Sequence, residues 1–392
     1  MREGLTMRKT TTFLLILVIV LGIIGCDGEI TEVEEEKRAQ RDRYYNLTEK
    51  TEEVIANTLN RYNGVGISIY ISSQHLSDDI SLAQGYKNKA ARTKLQADNL
   101  FRIGSLTKSF TGIAILKLVK EDKIDPDAAV SNYLTKEHDY FDRITVRNLL
   151  NMSAGLKGHI DDNNQFLVSY LENSPEKYLS PSSLIDESLS ITDELLFKPG
   201  TNFHYTNTNY VLLAMIIEEV TNKSYKDYIE EEIIEYFNLD NTYVADDLSI
   251  PENMAHGYYD SNQDGSKEDW TRVHPSIFWA AGDIVSTTQD ICDWFEIIAK
   301  NPEIESLDDE LLWQGQKLPG MDNQYYTAGF LYEEDRLIGG NGTVIGYHTD
   351  AWHRSDLDTT VVVFSNFLTS KEGDPTREVK NEVFSSLEKL LE

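Results

Sequence analysis

Ser105 and Lys108 stand three residues apart in Phe101-Arg102-Ile103-Gly104-Ser105-Leu106-Thr107-Lys108-Ser109-Phe110. On a helix that spacing brings a hydroxyl and an amine to one face. At a helix N-terminus the hydroxyl is also surrounded by free backbone N–H groups and the positive dipole end, which favour an oxyanion developing beside it. A lysine held in a desolvated site has a lowered pKa and can act as a base. Alone, Ser-x-x-Lys also arises as a capping serine beside a solvated lysine, so the pair needs context. One hundred residues on, Tyr205-Thr206-Asn207 precedes an apolar helix. In an extended turn the two outer residues point the same way, so a phenol and an amide can enter one pocket. A third element, Gly339-Gly340-Asn341-Gly342-Thr343-Val344-Ile345-Gly346-Tyr347, is a glycine-dense strand candidate where a ligand's backbone can approach closely.

These residues need a scaffold, and the hydrophobic pattern supplies one. Val65 to Ile71 alternates as a half-buried strand, with Ile80 to Tyr86 as its hairpin partner. Helical periodicity follows over Ser105–Glu121, Val146–Met152, Asn209–Val220 and Tyr225–Tyr236. Strand-like segments return at Tyr325–Tyr332 and Thr359–Phe367, before a terminal helix from about Thr376 to Leu391. Strands at both ends around a helical middle predict an α+β fold with one sheet assembled from both chain ends and an inserted helical region.

The three elements, in this order, resemble those of the penicillin-recognising serine hydrolases: class C β-lactamases, serine D-alanyl-D-alanine carboxypeptidases and related esterases. The likeness extends to Ile144-Thr145-Val146-Arg147-Asn148-Leu149-Leu150-Asn151-Met152-Ser153-Ala154-Gly155-Leu156, to Leu196-Phe197-Lys198-Pro199-Gly200 and to Ala280-Ala281-Gly282-Asp283-Ile284-Val285-Ser286-Thr287. It covers roughly residue 50 to the C-terminus. The resemblance implies a β-lactamase/transpeptidase-like fold with flanking helices, and Ser105 as an acylated nucleophile. Lys108 would be its proton acceptor or relay, and Tyr205 would share that role as a phenolate or as the acid that protonates the leaving group. It also implies that Asn207 orients Lys108 and binds the substrate amide. Gly340, Asn341 and Gly342 would line the substrate, and the backbone N–H groups of Ser105 and Thr343 would form the oxyanion hole. No metal or cofactor is implied.

The third element departs from the family pattern. Relatives that recognise a terminal carboxylate carry Lys or His where this chain has Gly340, followed by Thr or Gly and then Gly. A carboxylate-bearing substrate would lose a charge-assisted contact of about 1.5 to 3 kcal/mol unless His348, Arg354 or another cation replaces it. This lowers the expectation of β-lactamase activity and raises that of an esterase, amidase or atypical peptidase acting on a small ester or D-amino-acid peptide. A true β-lactamase and a catalytically weak sensor or binding module are the competing readings.

Other features read as structural. Asp260-Ser261-Asn262-Gln263-Asp264-Gly265 has the first half of a calcium loop, but position twelve is Thr271 instead of a bidentate Glu, so a surface turn is expected. Histidine spacing offers no catalytic zinc site. His204 is expected in the pocket wall, and Asn151 to Gly155 as a helix-end turn. Tyr258, Tyr259, Trp270, Phe278 and Trp279 are split between a substrate groove and ordinary core packing.

The 392 residues carry 36 Lys+Arg against 66 Asp+Glu, a formal net charge of −30. That charge opposes nucleic acid and anionic membrane surfaces. The first 26 residues nevertheless read as a lipoprotein signal: Arg2, Arg8 and Lys9, an apolar run from Phe13 to Gly25 too short for a span, then Ile23-Ile24-Gly25-Cys26, which resembles the bacterial lipobox. Cleavage before an acylated Cys26 removes three bases and one acid, leaving −32 on a body held at the cell envelope by its lipid. Cys292 then has no internal disulfide partner and reads as a buried core thiol. Residues 27–50 read as a charged, solvated tether and residues 51–392 as the hydrolase domain, with a small molecule or peptide as partner and oligomeric state open.

Overall fold

The computed structural model describes residues 27–392 apart from 136–138, 163, 193, 263, 308, 314, 322, 334–336 and 370–372. The expected signal segment and Cys26 therefore lie outside the described residues.

The chain begins with helix α1 (Asp27–Tyr62). Residues 27–50, expected as a tether, are helical, and packing starts within them. Gln40 and Arg43 donate to the carbonyls of Gln74 and His75. Leu47, Thr51, Val54, Ile55, Thr58 and Tyr62 are buried at i, i+4, i+7, i+8, i+11 and i+15, one stripe of a helix. Residues 32–38 are exposed, as the charge predicts. Glu, Gln, Lys, Arg and Ala are strong helix formers, so a helix nucleated on the docked stripe propagates back through them.

Nine strands among the described residues form the main sheet: β1 (Gly66–Ser73), β2 (Ile80–Asn88), β3 (Thr93–Lys94), β4 (Gln316–Lys317), β5 (Gln324–Thr327), β6 (Phe330–Glu333), β7 (Leu337–Val344), β8 (Tyr347–Arg354) and β9 (Thr359–Ser365). Their order is β3-β2-β1-β9-β8-β7-β6-β5-β4, all neighbours antiparallel. The two chain ends meet at β1 and β9, where Ile69 pairs with Val363. The stretch Tyr325–Tyr332, expected as one strand, is a hairpin, because Gly329 adopts φ +91 and turns the chain.

Period-two alternation sends the two faces of the sheet to separate cores. Ile67, Ile69, Ile71, Val361 and Val363 pack against α1 and the terminal helix (Pro375–Leu391). Val362 and Phe364 join the larger core on the opposite face. That core contains α2 (Thr107–Lys120), α3 (Asn207–Thr221) and α4 (Thr288–Lys300), all drawn from the inserted region between β3 and β4. Cys292 on α4 is fully buried, as expected, and burial raises its thiol pKa. Tyr225–Tyr236 is helical only to Ile229, then widens into a π-helical turn over Glu230–Ile234.

The two parts of α1 make different predictions. Ile55→Ala removes a fully buried side chain and should destabilise the fold by about 2 to 5 kcal/mol in chemical denaturation. Val33→Asp, at a position 54% exposed, should change stability by less than about 0.5 kcal/mol.

Candidate active site

The buried Phe101 and Ile103 lead into a single 3₁₀ turn, Gly104-Ser105-Leu106, which runs directly into α2. Ser105 thus sits on the turn that precedes the α-helix, not on the helix itself. Gly104 has φ +56, a conformation that costs a residue with a Cβ, and a Cβ there would lie 2.8 Å from Thr343 N. Close approach therefore presses the turn against β7. The contact is reinforced by the Thr349 hydroxyl, which donates to the Ile103 and Gly342 carbonyls at 2.9 and 3.2 Å.

Lys108, the second residue of α2, is fully buried and reaches back to Ser105, with Nζ 3.0 Å from Oγ. Its other partners are Asn207 Oδ1 at 2.6 Å and the Ala281 carbonyl at 2.9 Å. The rings of Tyr205 and Tyr210 lie 5.0 and 5.9 Å from Nζ. Burial pushes the Lys108 pKa down from 10.5 to about 7, against a smaller upward pull from the Asp161 carboxylate. Near neutrality, then, the amine spends much of its time uncharged. A neutral amine has two N–H bonds and one lone pair. Asn207 Oδ1 and the Ala281 carbonyl only accept, so they take the N–H bonds and leave the lone pair for the Ser105 hydroxyl proton.

Tyr205 and Asn207 enter from the start of α3. Thr206 is extended and caps the helix by accepting from Thr208 N, so the residues on either side reach the same site. The Tyr205 hydroxyl lies 2.8 Å from Ser105 Oγ and donates to it. Burial raises its pKa further above the ordinary phenol value, which keeps the proton on oxygen.

Asp161 was not singled out by sequence reasoning. Its carboxylate accepts from Asn207 N at 2.8 Å, from Asn207 Nδ2 at 2.9 Å and from the Thr206 hydroxyl at 3.3 Å. The Nδ2 bond settles which way the amide faces and aims Oδ1 at Lys108. The backbone bond places negative charge at the positive end of α3. Gly158 makes room for this carboxylate, since a Cβ there would lie 2.3 Å from Asp161 Oδ2. The Ala281 carbonyl was missed too, although its segment had been noted as a landmark.

The remaining expected residues divide. Ser105, Tyr205, Asn207, Gly340, Asn341 and Thr343 line one cleft of about 490 Å³, which puts the two residues expected to form the oxyanion hole, Ser105 and Thr343, in the same wall. Gly342 acts by close approach: a Cβ there would lie 2.0 Å from the Ile103 carbonyl and 2.8 Å from Ser105 N. His348 and Arg354 do not replace the missing cation. His348 pairs with Asp374 at 3.3 Å, and Arg354 with Asp356 and Glu388. His204 pairs with Asp162 at 2.9 Å and is not among the described lining residues. Of the five candidate groove aromatics only Phe278 lines the cleft; Trp279 packs on Tyr225 instead. The Asp260 loop closes on itself as a turn, with its carboxylate accepting from Gly265 N. Asn151 to Gly155 follows the short helix Val146–Leu150 as a helix-end turn.

The chain matches the family described as Beta-lactamase over residues 60–383. It is 24% identical over 321 residues to Penicillin-binding protein 4* of Bacillus subtilis, covering 78% of this chain and 68% of that one. It is 25% identical over 297 residues to Protein flp of Staphylococcus aureus, covering 72% of this chain and 56% of that protein, so it spans only a little over half of that relative. Among solved structures, a D-stereospecific amidohydrolase from Streptomyces sp. aligns with a TM-score of 0.74 at 23% identity, over 87% of this chain and 98% of the other. The chain therefore has the β-lactamase/transpeptidase-like fold of the serine hydrolases. It belongs to the β-lactamase family.

Because Lys108 must be neutral to accept a proton, kcat/KM should rise with pH through a midpoint near 7. The Asp161 carboxylate raises the Lys108 pKa, so in Asp161→Asn this acid limb should move to lower pH. Loss of the fixed amide orientation should also lower the plateau roughly 10- to 100-fold. A pH–rate profile of both proteins checks both effects.

Proposed function

We propose that this protein is an exported hydrolase that cleaves small amides or esters, D-amino acid amides and peptides among them, through an acyl-enzyme on Ser105. The observation that carries this reading is the arrangement of the buried Lys108 Nζ, which has two pure acceptors, Asn207 Oδ1 at 2.6 Å and the Ala281 carbonyl at 2.9 Å, and the Ser105 hydroxyl at 3.0 Å.

In the first step Ser105 Oγ bonds to the substrate carbonyl carbon as its proton passes to Lys108. The carbonyl oxygen takes up the displaced electron pair and is held by the N–H groups of Ser105 and Thr343. On collapse the C–N or C–O bond breaks and the leaving atom takes the Tyr205 proton, while Lys108 keeps the proton it took from Ser105, so a tyrosinate stands beside the ammonium. Water then adds to the acyl carbon, gives its proton to the same pair of groups, and the C–Oγ bond breaks with return of a proton to Ser105.

Substrate class follows from the cleft wall. Asp161 is the one charged side chain among the described lining residues, whereas Ile160, Leu167, Phe203, Phe278, Leu318 and Phe330 are apolar. Such a wall favours an apolar acyl portion that is neutral or carries an ammonium, and it disfavours a terminal carboxylate. A D-amino acid amidase from Ochrobactrum anthropi shares the fold, at a TM-score of 0.73, 23% identity and 88% coverage of this chain, and it motivates the choice of amides. Export rests on the signal-like leader and Cys26, with lipid attachment keeping an acidic body at a membrane. Among the described residues no helix is long and apolar enough to cross one.

A fluorophosphonate probe should label the wild type and fail to label Ser105→Ala. Steady-state turnover should be found on D-amino acid amides or short p-nitrophenyl esters, and nitrocefin should be hydrolysed slowly. Rapid nitrocefin turnover would instead make the protein a β-lactamase, and labelling without turnover of any of these substrates would make it a sensor. Cys26→Ser should move the protein from the membrane fraction to the soluble fraction and abolish incorporation of labelled palmitate.

A further inference from the structure

The short helix Val146–Leu150 ends in a complete capping motif, in which Ser153 N donates to the Asn148 carbonyl at 2.9 Å and Met152 N to that of Leu149 at 3.4 Å. The motif needs a left-handed backbone at Met152, and φ there is +62. Glycine and asparagine are the usual occupants of that position, because other side chains crowd the backbone when it is left-handed. A methionine bears a steric cost that the helix end does not require, so its side chain must serve something else.

That side chain is fully buried and reaches to the start of α3. Its Sδ accepts from Thr206 N at 3.5 Å and from Asn209 Nδ2 at 3.2 Å, while the Met152 carbonyl accepts from His204 N at 2.9 Å. Thr206 and Asn209 are also fully buried, so neither donor has water to replace the sulfur. Residues 201–206 belong to no helix or strand, and contacts from elsewhere must therefore fix them. Asp161 holds Asn207. Met152 holds His204 and Thr206, the two neighbours of Tyr205 in the chain. Met152 is not among the described residues that line the cleft, so it acts only through what it positions.

We propose that Met152 is a positioning residue for Tyr205, its carbonyl and sulfur clamping the chain on either side so that the phenol meets Ser105 Oγ. The inference rests on the reading of Ser105 as an acylated nucleophile, and it goes beyond that reading by giving a role to a residue outside the cleft. Tyr205 is the group that protonates the departing atom, so a loosened clamp should matter most where the leaving group needs that proton. An amide nitrogen needs it, whereas p-nitrophenolate departs as a stable anion.

The test compares wild type with Met152→Leu, which keeps the apolar bulk and removes the acceptor, and with Met152→Gln, which restores one. The Gln amide can accept from Thr206 N and donate to Asn209 Oδ1, a buried atom with no hydrogen-bond partner among the described residues. In the Leu variant kcat/KM should fall roughly 10-fold on D-phenylalanine amide and less than about threefold on p-nitrophenyl butyrate. The Gln variant should recover most of the loss on the amide, and thermal melting establishes that both variants are folded. An unchanged kcat/KM for the amide in the Leu variant overturns the proposal. Equal losses on the two substrates, or a folded Gln variant no better than Leu, also overturn it, because packing and not the acceptor would then be responsible. Unfolding of both variants overturns it too, since Met152 would then be a core residue that the fold cannot lose. Failure of the wild type to react with a fluorophosphonate is a different result and defeats the underlying reading of Ser105.

Discussion

The burial of the Lys108 amine is the constraint on which the rest of this site depends. An ammonium without solvent contact carries a large desolvation penalty unless a carboxylate neutralises it, and the described partners of Nζ are the uncharged Ser105 hydroxyl, Asn207 Oδ1 and Ala281 carbonyl. The protein resolves this by allowing the group to be neutral near pH 7. Asn207 Oδ1, the Ala281 carbonyl and two tyrosine rings still attract the protonated form, so the amine remains able to take a proton from Ser105 and release it again. Asp161 acts at one remove, by fixing the amide that holds the lysine. A carboxylate in direct contact with Nζ would hold it charged and leave no lone pair facing the Ser105 hydroxyl.

The backbone around this amine is arranged to keep it dry and in reach. The β5–β6 hairpin turns at Gly329 against the Lys108 carbonyl, closely enough that a Cβ would lie 2.0 Å from that oxygen. On the other side Gly104 and Gly342 let the Ser105 turn and β7 approach each other. These contacts close β7, a strand from the C-terminal half, over a turn contributed by the inserted helical region. Tyr205 is held edge-on by Tyr326, with ring centroids 6.0 Å apart, and so keeps its hydroxyl on Ser105 Oγ.

Much of this was legible before the fold was known. Ser105, Lys108, Tyr205 and Asn207 were readable because each belongs to a short motif whose chemistry needs that spacing, and the structure brings all four within one hydrogen-bonded chain. The alternating pattern of Val65–Ile71 and Thr359–Phe367 announced the strands that join the termini. Asp161 was not legible, because an acidic residue in His159-Ile160-Asp161-Asp162 looks like any surface turn. Its role comes only from a contact across 46 residues. The helical character of residues 27–50 was hidden for a different reason. Their charge dominates composition, whereas the apolar stripe that docks the helix begins only at Leu47. The split of Tyr325–Tyr332 into a hairpin turned on one backbone angle at Gly329, which periodicity does not report.

The gap at Gly340 gives the acidic composition a local meaning. A body of formal charge −30 already repels anions in bulk, and a cleft whose described wall carries Asp161 and no basic residue continues that preference to the reacting atoms. The state of Lys108 is the central claim, and the most direct measurement is its own titration, followed by NMR of isotopically labelled lysine side chains. One resonance absent from Lys108→Met should titrate with a midpoint near 7, well below the ordinary lysine value of about 10.4. A Lys108 midpoint near 10 would show a protonated amine at neutral pH and would contradict its role as the base.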